Sequence, residues 1–182
     1  MTVLVHRTMS LDGYIAGPEH EMDWIFEHDP PDDMQGIIAA TGAIVIGRGS
    51  WHVGARDTGK PSGAPYGGAW SGPIFVLTRK PLDAGPGVTV VAGDIGDVIA
   101  GAQAAAGGRK VELFGANVAA QALRRGLVDE ILVHVAPVLL GDGIPFSPGS
   151  GRIRLEPAGA TQSGDMTHLR FRVRSAAAAP PS

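Results

Sequence analysis

The chain contains no cysteine. That absence removes disulfides, thiol nucleophiles and thiolate metal sites, including the cysteine-ligated zinc with which nucleobase deaminases activate water. Positive charge is not in excess either, with 15 basic residues against 18 acidic ones and a net charge of −3. Broad nucleic-acid binding needs a basic face, so nucleic acid is not an expected partner. The long uncharged stretch 61–78 is broken by prolines and glycines and does not suit a membrane helix. His6, Arg7 and Asp12 interrupt the N-terminal apolar stretch, unlike a secretion signal. The expectation is a cytoplasmic protein with no membrane partner. Three fingerprints are also missing: G-x-G-x-x-G, the Gly-Lys-Ser/Thr phosphate loop and the G-x-S-x-G elbow.

What remains is a globular composition. The chain has 182 residues, 44% hydrophobic and 18% charged, enough for one domain with a substantial core. Its 27 glycines and 14 prolines fall mostly in short clusters between apolar runs, as expected of tight loops crossing a sheet. Strands are expected at VLVHRTMS (3–10), AIVIG (43–47), PIFVLT, VTVVA, KVELFG and a long DEILVHVAPVLL (129–140). Helices are expected at PPDDMQGIIAATG (30–42), from RGSW onward, at GDIGDVIAGAQAAAG with Asp94 or Asp97 near its start, and at NVAAQALRRG. RIRLEPAGATQSGDMTHLRFRVR reads as two strands turning near Ser163-Gly164. The fold class is therefore α/β, a mostly parallel central sheet flanked by helices and closed by an antiparallel C-terminal hairpin. One domain spans 1–174, and 175–182 is expected to be a disordered tail.

In such a sheet, ligands sit at the carboxyl ends of strands, beside helix N-termini. Three stretches fall there: Gly47-Arg48-Gly49-Ser50, Thr78-Arg79-Lys80 and Gly115-Ala116-Asn117. Each alone is more often a turn with a solvated cation. Together they offer small residues, two arginines, a lysine and hydroxyls, which suits a ligand with several phosphates such as a dinucleotide. The acidic loop HEMDWIFEHDPPDD matches no metal-ligand spacing, so no metal is expected. Asp32 or Asp33 is a candidate acid in a cleft or, equally, a helix cap. His134 inside ILVHVAP reads as a satisfied sheet residue.

SLDGYIAGPEHEMDW, VIGRGSW, PIFVLTRK and GLVDEILVHVAPVLLGDGIPF, in that order, resemble the dihydrofolate reductase-like superfamily. The likeness is greatest to the reductase domain of the bifunctional riboflavin-biosynthesis protein (the RibD C-terminal type) and its stand-alone relatives. The resemblance implies NADPH as hydride donor. Gly47, Arg48 and Ser50 would hold its phosphates, Thr78 and Arg79 the adenosine ribose and 2′-phosphate, and Gly115, Ala116 and Asn117 the pyrophosphate, with Leu77 also a cofactor contact. Thr8, Ile15 and Trp24 would wall the nicotinamide and substrate, with Asp33, Asp32 and Asp23, in that order, as candidate acids. The family's turn usually carries a glycine pair, where this chain has Gly115-Ala116. The expected activity is reduction of a small heterocycle or imine. The alternative is a nucleotide- or heterocycle-binding protein without turnover. A homodimer is implied, with the 129–140 strand and LLGDGIPF as candidate contacts.

Overall fold

A computed structural model describes residues 1–174. The expected tail at 175–182 lies outside them. Eight strands form one sheet: β1 (Val3–Ser10), β3 (Thr41–Gly47), β4 (Ile74–Leu77), β5 (Val88–Val91), β6 (Lys110–Phe114), β7 (Glu130–Ala136), β9 (Leu155–Ser163) and β10 (Met166–Val173). Their order is β5-β4-β3-β6-β1-β7-β10-β9. The first six in that row run parallel, and β10 pairs antiparallel with both β7 and β9. The expected α/β sheet and closing hairpin are thus present. Two short strands form a separate antiparallel pair, β2 (Tyr14–Ala16) with β8 (Ile144–Pro145).

Alternation along the strands divides the sheet into two unlike faces. Odd-numbered residues Val3, Val5, Ala43, Val45, Val111, Leu113, Ile131 and Val133 pack with α3 (Ile95–Ala105) and α4 (Ala116–Arg124) into the main core. Each fully buried aliphatic side chain of this kind contributes roughly 1.5–3 kcal/mol. The even-numbered face is mixed. Leu4, Leu132, Ile44 and Ile46 lie on it beside His6, Glu112 and His134, all buried. It is covered by α1 (Met34–Ala40), α2 (Arg48–Arg56) and the 3-10 turns at Pro61–Gly63 and Pro65–Gly68.

Several boundaries differ from expectation. The helix expected at 30–42 is only α1, because two prolines precede it and the next strand takes the chain at Thr41. Asp33 stands at its N-cap position but makes no capping bond. Asp94 caps α3, accepting from the Gly96 N–H at 2.8 Å. The strand expected at 129–140 stops at Ala136, since Pro137 cannot donate to a ladder. Asp12 ties the segment beyond it back to β1. Its carboxylate accepts from Ser10 Oγ (2.6 Å) and from the N–H groups of Leu140 (3.1 Å) and Gly141 (2.8 Å). These bonds hold the Asp12 carboxyl below the usual carboxylate range, the Ser10 hydroxyl most of all. No helix among the described residues is long and apolar enough to cross a membrane.

Candidate active site

A cleft of about 1550 Å³ opens at the carboxyl ends of β1, β3 and β6. Two helix N-termini reach it. α2 begins at Arg48 directly after β3, and α4 begins at Ala116 directly after β6. Their unpaired N–H groups make this wall a place for anions. The two turns are packed against each other. Gly115 has φ +92°, and a β-carbon there would stand 2.5 Å from Ser50 Oγ. At Gly49 a β-carbon would meet nothing within 4 Å, so backbone borders open space there. Arg48 adds a buried Nε with no hydrogen-bond partner among the described residues. An orphaned guanidinium N–H beside two helix N-termini is the donor set that a pyrophosphate needs.

Gly47, Arg48, Ser50, Gly115, Ala116 and Asn117 all line this cleft, with Thr8, Ile15 and Leu77. Thr78 and Arg79 do not. Thr78 is buried in a turn, its hydroxyl accepting from the Lys80 N–H at 3.1 Å, and Arg79 is exposed just beyond Leu77. Arg79 has no ion-pair partner among the described residues.

The acidic candidates lie elsewhere. Asp23, Asp32 and Asp33 are all exposed and none lines the cleft. Asp32 accepts from Ser163 Oγ (2.8 Å), and Asp33 stands 3.7 Å from Arg170. Trp24 is half-buried in the 3-10 turn Asp23–Glu27, and it is the neighbouring Ile25 and Phe26 that line the cleft. No group of metal-ligating side chains is present among the described residues.

The carboxylate in the cleft is Glu112, which sequence reasoning missed. It is 1% exposed, on the mixed face of β6. Tyr66 donates its hydroxyl to Glu112 Oε2, and Thr41 Oγ1 lies 3.2 Å from the same oxygen. Glu112 Oε1 has no hydrogen-bonding partner, although His6 Nδ1 is 3.3 Å away. Burial, reinforced by Glu112, pushes the Tyr66 hydroxyl above its ordinary range, so it stays protonated. Arg7 is the nearby cation. Burial lowers its pKa to about 10, against the pull of Glu112, which leaves it charged at neutral pH. Its guanidinium donates to the carbonyls of His6 and Leu113 and lies 5.4 Å from the Phe114 ring centroid.

This sheet order, with the antiparallel pair β10-β9 at one side and the cleft between two strand-to-helix turns, is the dihydrofolate reductase-like fold. A family model, the RibD C-terminal domain, matches residues 73–169, more than half of the chain, and the chain belongs to that family. Among solved structures, a Shewanella sp. PV-4 protein named for riboflavin biosynthesis superposes with TM-score 0.80 at 22% identity, over 96% of this chain and 99% of that one. A Thermotoga maritima diaminohydroxyphosphoribosylaminopyrimidine deaminase/5-amino-6-(5-phosphoribosylamino)uracil reductase gives 0.66 at 14% identity, over 95% of this chain and 56% of its own. A pyrimidine reductase-like protein from Corynebacterium diphtheriae gives 0.64 at 15% identity, over 95% and 92%. Identities this low show the fold alone. No curated protein sequence matches the chain.

Proposed function

We propose that the chain is a reductase that takes NADPH and reduces a C=N bond in a small heterocycle or imine carrying no phosphate. The observation that carries this reading is the cradle itself: two helix N-termini, the Gly115–Ser50 contact and the orphaned Arg48 Nε, converging at one sheet edge. The α2 and α4 turns would hold the pyrophosphate, with Arg48 completing its hydrogen bonds. Arg79, exposed and unpaired beyond Leu77, would meet the 2′-phosphate that distinguishes NADPH from NADH. When bound, NADPH supplies the hydride.

The rest of the cleft supports an uncharged substrate. Its arginines and lysines number two, Arg7 and Arg48. Arg7 is committed to backbone carbonyls, and Arg48 belongs to the cradle. No third such cation is left among the described lining residues for a substrate phosphate. Ile25, Phe26, Trp51 and Tyr66 provide apolar and aromatic walls for a flat ring. The nitrogen of the reduced bond must gain a proton, and Glu112 is the carboxyl placed to deliver it.

Ala116 favours a second reading. It puts a methyl where the family usually has glycine and narrows the approach to the turn, which suits a site that binds a nucleotide or a heterocycle without turning it over. Within the first reading, exposed Leu11 and Leu139, on segments joined by the Leu11 N–H to the Val138 carbonyl, are the contact for a second copy of the chain. Sedimentation measures that association.

Titration with NADPH and separately NADH, followed by quenching of tryptophan emission, tests the function. NADPH is expected to bind more tightly, with the preference lost in Arg79→Ala. Absence of binding by either nucleotide at high micromolar concentration overturns the reductase reading. Tight binding without turnover of any pterin or cyclic imine favours the second.

A further inference from the structure

Behind Glu112 lies a line of three buried histidines that the cofactor cradle does not use. His6 on β1, His134 on β7 and His168 on β10 are 8%, 1% and 6% exposed. The register pairs His134 with both Thr8 and His168, which puts all three rings on the mixed face of three adjacent strands. His6 Nε2 lies 2.6 Å from His134 Nε2, and His134 Nδ1 lies 2.7 Å from His168 Nδ1. At the other end, His6 Nδ1 faces Tyr66 Oη at 3.1 Å and Glu112 Oε1 at 3.3 Å. His168 Nε2 is buried with no partner among the described residues.

Contacts of this length between two imidazoles require a proton on one nitrogen and a lone pair on the other. Burial first, then His6, His168 and Arg170, push the pKa of His134 down to about 3. His134 is therefore neutral, a donor at one nitrogen and an acceptor at the other. The charged and titratable groups around the line are Glu112 from β6, Tyr66 from the 3-10 turn, Arg7 from β1 and Arg170 from β10. Only Glu112 is both acidic and adjacent to His6. The line has a polar end at the cleft and a closed end under β10.

We propose that His6 is the proton store of the cleft, and that His134 and His168 are positioning residues that keep its second proton directed at Glu112. This rests on the reductase reading. In the loaded state His6 carries both protons, Nε2–H donating to bare Nε2 of His134 and Nδ1–H directed at Glu112. His134 donates Nδ1–H to bare Nδ1 of His168. In that state Glu112 is ionised, so on turnover the His6 Nδ1–H bond breaks as a Glu112 O–H bond forms. That O–H bond then breaks as the substrate N–H bond forms, which leaves Glu112 ionised again. His6 is left neutral with its proton on Nε2, still donated to His134, so neither deeper ring changes tautomer. Water entering the open cleft returns one proton through Glu112. Each cycle consumes one hydride and one proton.

The test is nitrogen-15 NMR of the histidine rings in the whole protein without nucleotide, beside pH profiles of kcat for two variants. The expected spectrum shows His134 neutral and protonated at Nδ1 across pH 5–9, and His6 carrying protons on both nitrogens in the loaded state. His134→Leu removes the acceptor for Nε2–H and is expected to move the basic limb of the kcat profile down by about one pH unit. His134→Gln supplies a carbonyl acceptor and is expected to restore the limb. A spectrum in which His6 keeps one proton throughout, or two variants with the same profile, overturns the proposal. NADPH affinity is expected to be unchanged in both variants. Failure of the protein to bind NADPH at all defeats the reductase reading instead, and the NMR titration still decides the proton store.

Discussion

A β-carbon on Gly115 would fall 2.5 Å from the hydroxyl oxygen of Ser50, so the turn entering α4 and the first turn of α2 meet with no room for a methyl. The same glycine has φ +92°, where other residues are strained. Replacing Gly115 with alanine is expected to cost about 1–3 kcal/mol in backbone strain alone. For a chain of this size that corresponds to roughly 2–4 °C in Tm per kcal/mol. Calorimetry checks the stability loss, and nucleotide titration is expected to show weakened NADPH binding in the fraction that folds.

Arg48 is expected to act through geometry as well as charge. Arg48→Lys keeps the charge but loses the planar donor set, including the orphaned Nε–H. NADPH affinity is expected to fall about tenfold, or ~1.4 kcal/mol, in Arg48→Lys, and further in Arg48→Ala. Equal affinity in Arg48→Lys and the parent protein contradicts the cradle as described.

Two sets of carboxylates are distinguished by substitution. Glu112→Gln is expected to lower kcat by about 100-fold or more, as loss of a general acid does. Asp32→Asn and Asp33→Asn, both exposed and outside the cleft, are expected to stay within about twofold, the usual effect of a surface substitution. Steady-state kinetics on all three variants at one pH decide between them.

The Asp12 clamp has a defined pH dependence. Its carboxyl is held below the usual range in the folded chain by Ser10 and by the 140–141 backbone. The ionised form is therefore the one that stabilises, fully so above the unfolded pKa near ~4. This contribution is lost as pH falls through the lower folded value. Asp12→Asn is expected to lower Tm at neutral pH, and the gap from the parent protein is expected to close on acidification. A gap that stays constant down to pH 2 contradicts the assignment.

Much of the fold was legible because apolar periodicity and turn residues are local signals. The run VIG followed by Arg48-Gly49-Ser50 already read as strand, turn and helix, and Gly115 as the turn before α4. The carboxylate in the cleft was not legible. In KVELF, Glu112 sits between apolar neighbours with nothing nearby in sequence to pair with, and its partners Tyr66, Thr41 and His6 come from other elements. Only the parallel crossovers place them together. His134 read as a satisfied sheet residue, and its partners are two other histidines from neighbouring strands. Asp32 and Asp33 drew attention as acids at a helix start, where exposure to water is the commoner outcome. The β2–β8 pair was too short to leave a pattern.

The two borders of the eight-stranded sheet have a consequence for how the protein behaves when crowded. An unpaired strand flank can template another chain, and long, flat flanks are the hazardous ones. One border here, β5, is four residues long. The other, β9, carries Pro157, opposite a register shift between Arg170 and Phe171 in its partner strand. Proline and a bulge both interrupt the row of donors that an incoming strand would read. Each border thus carries a built-in stop against fibre-like growth.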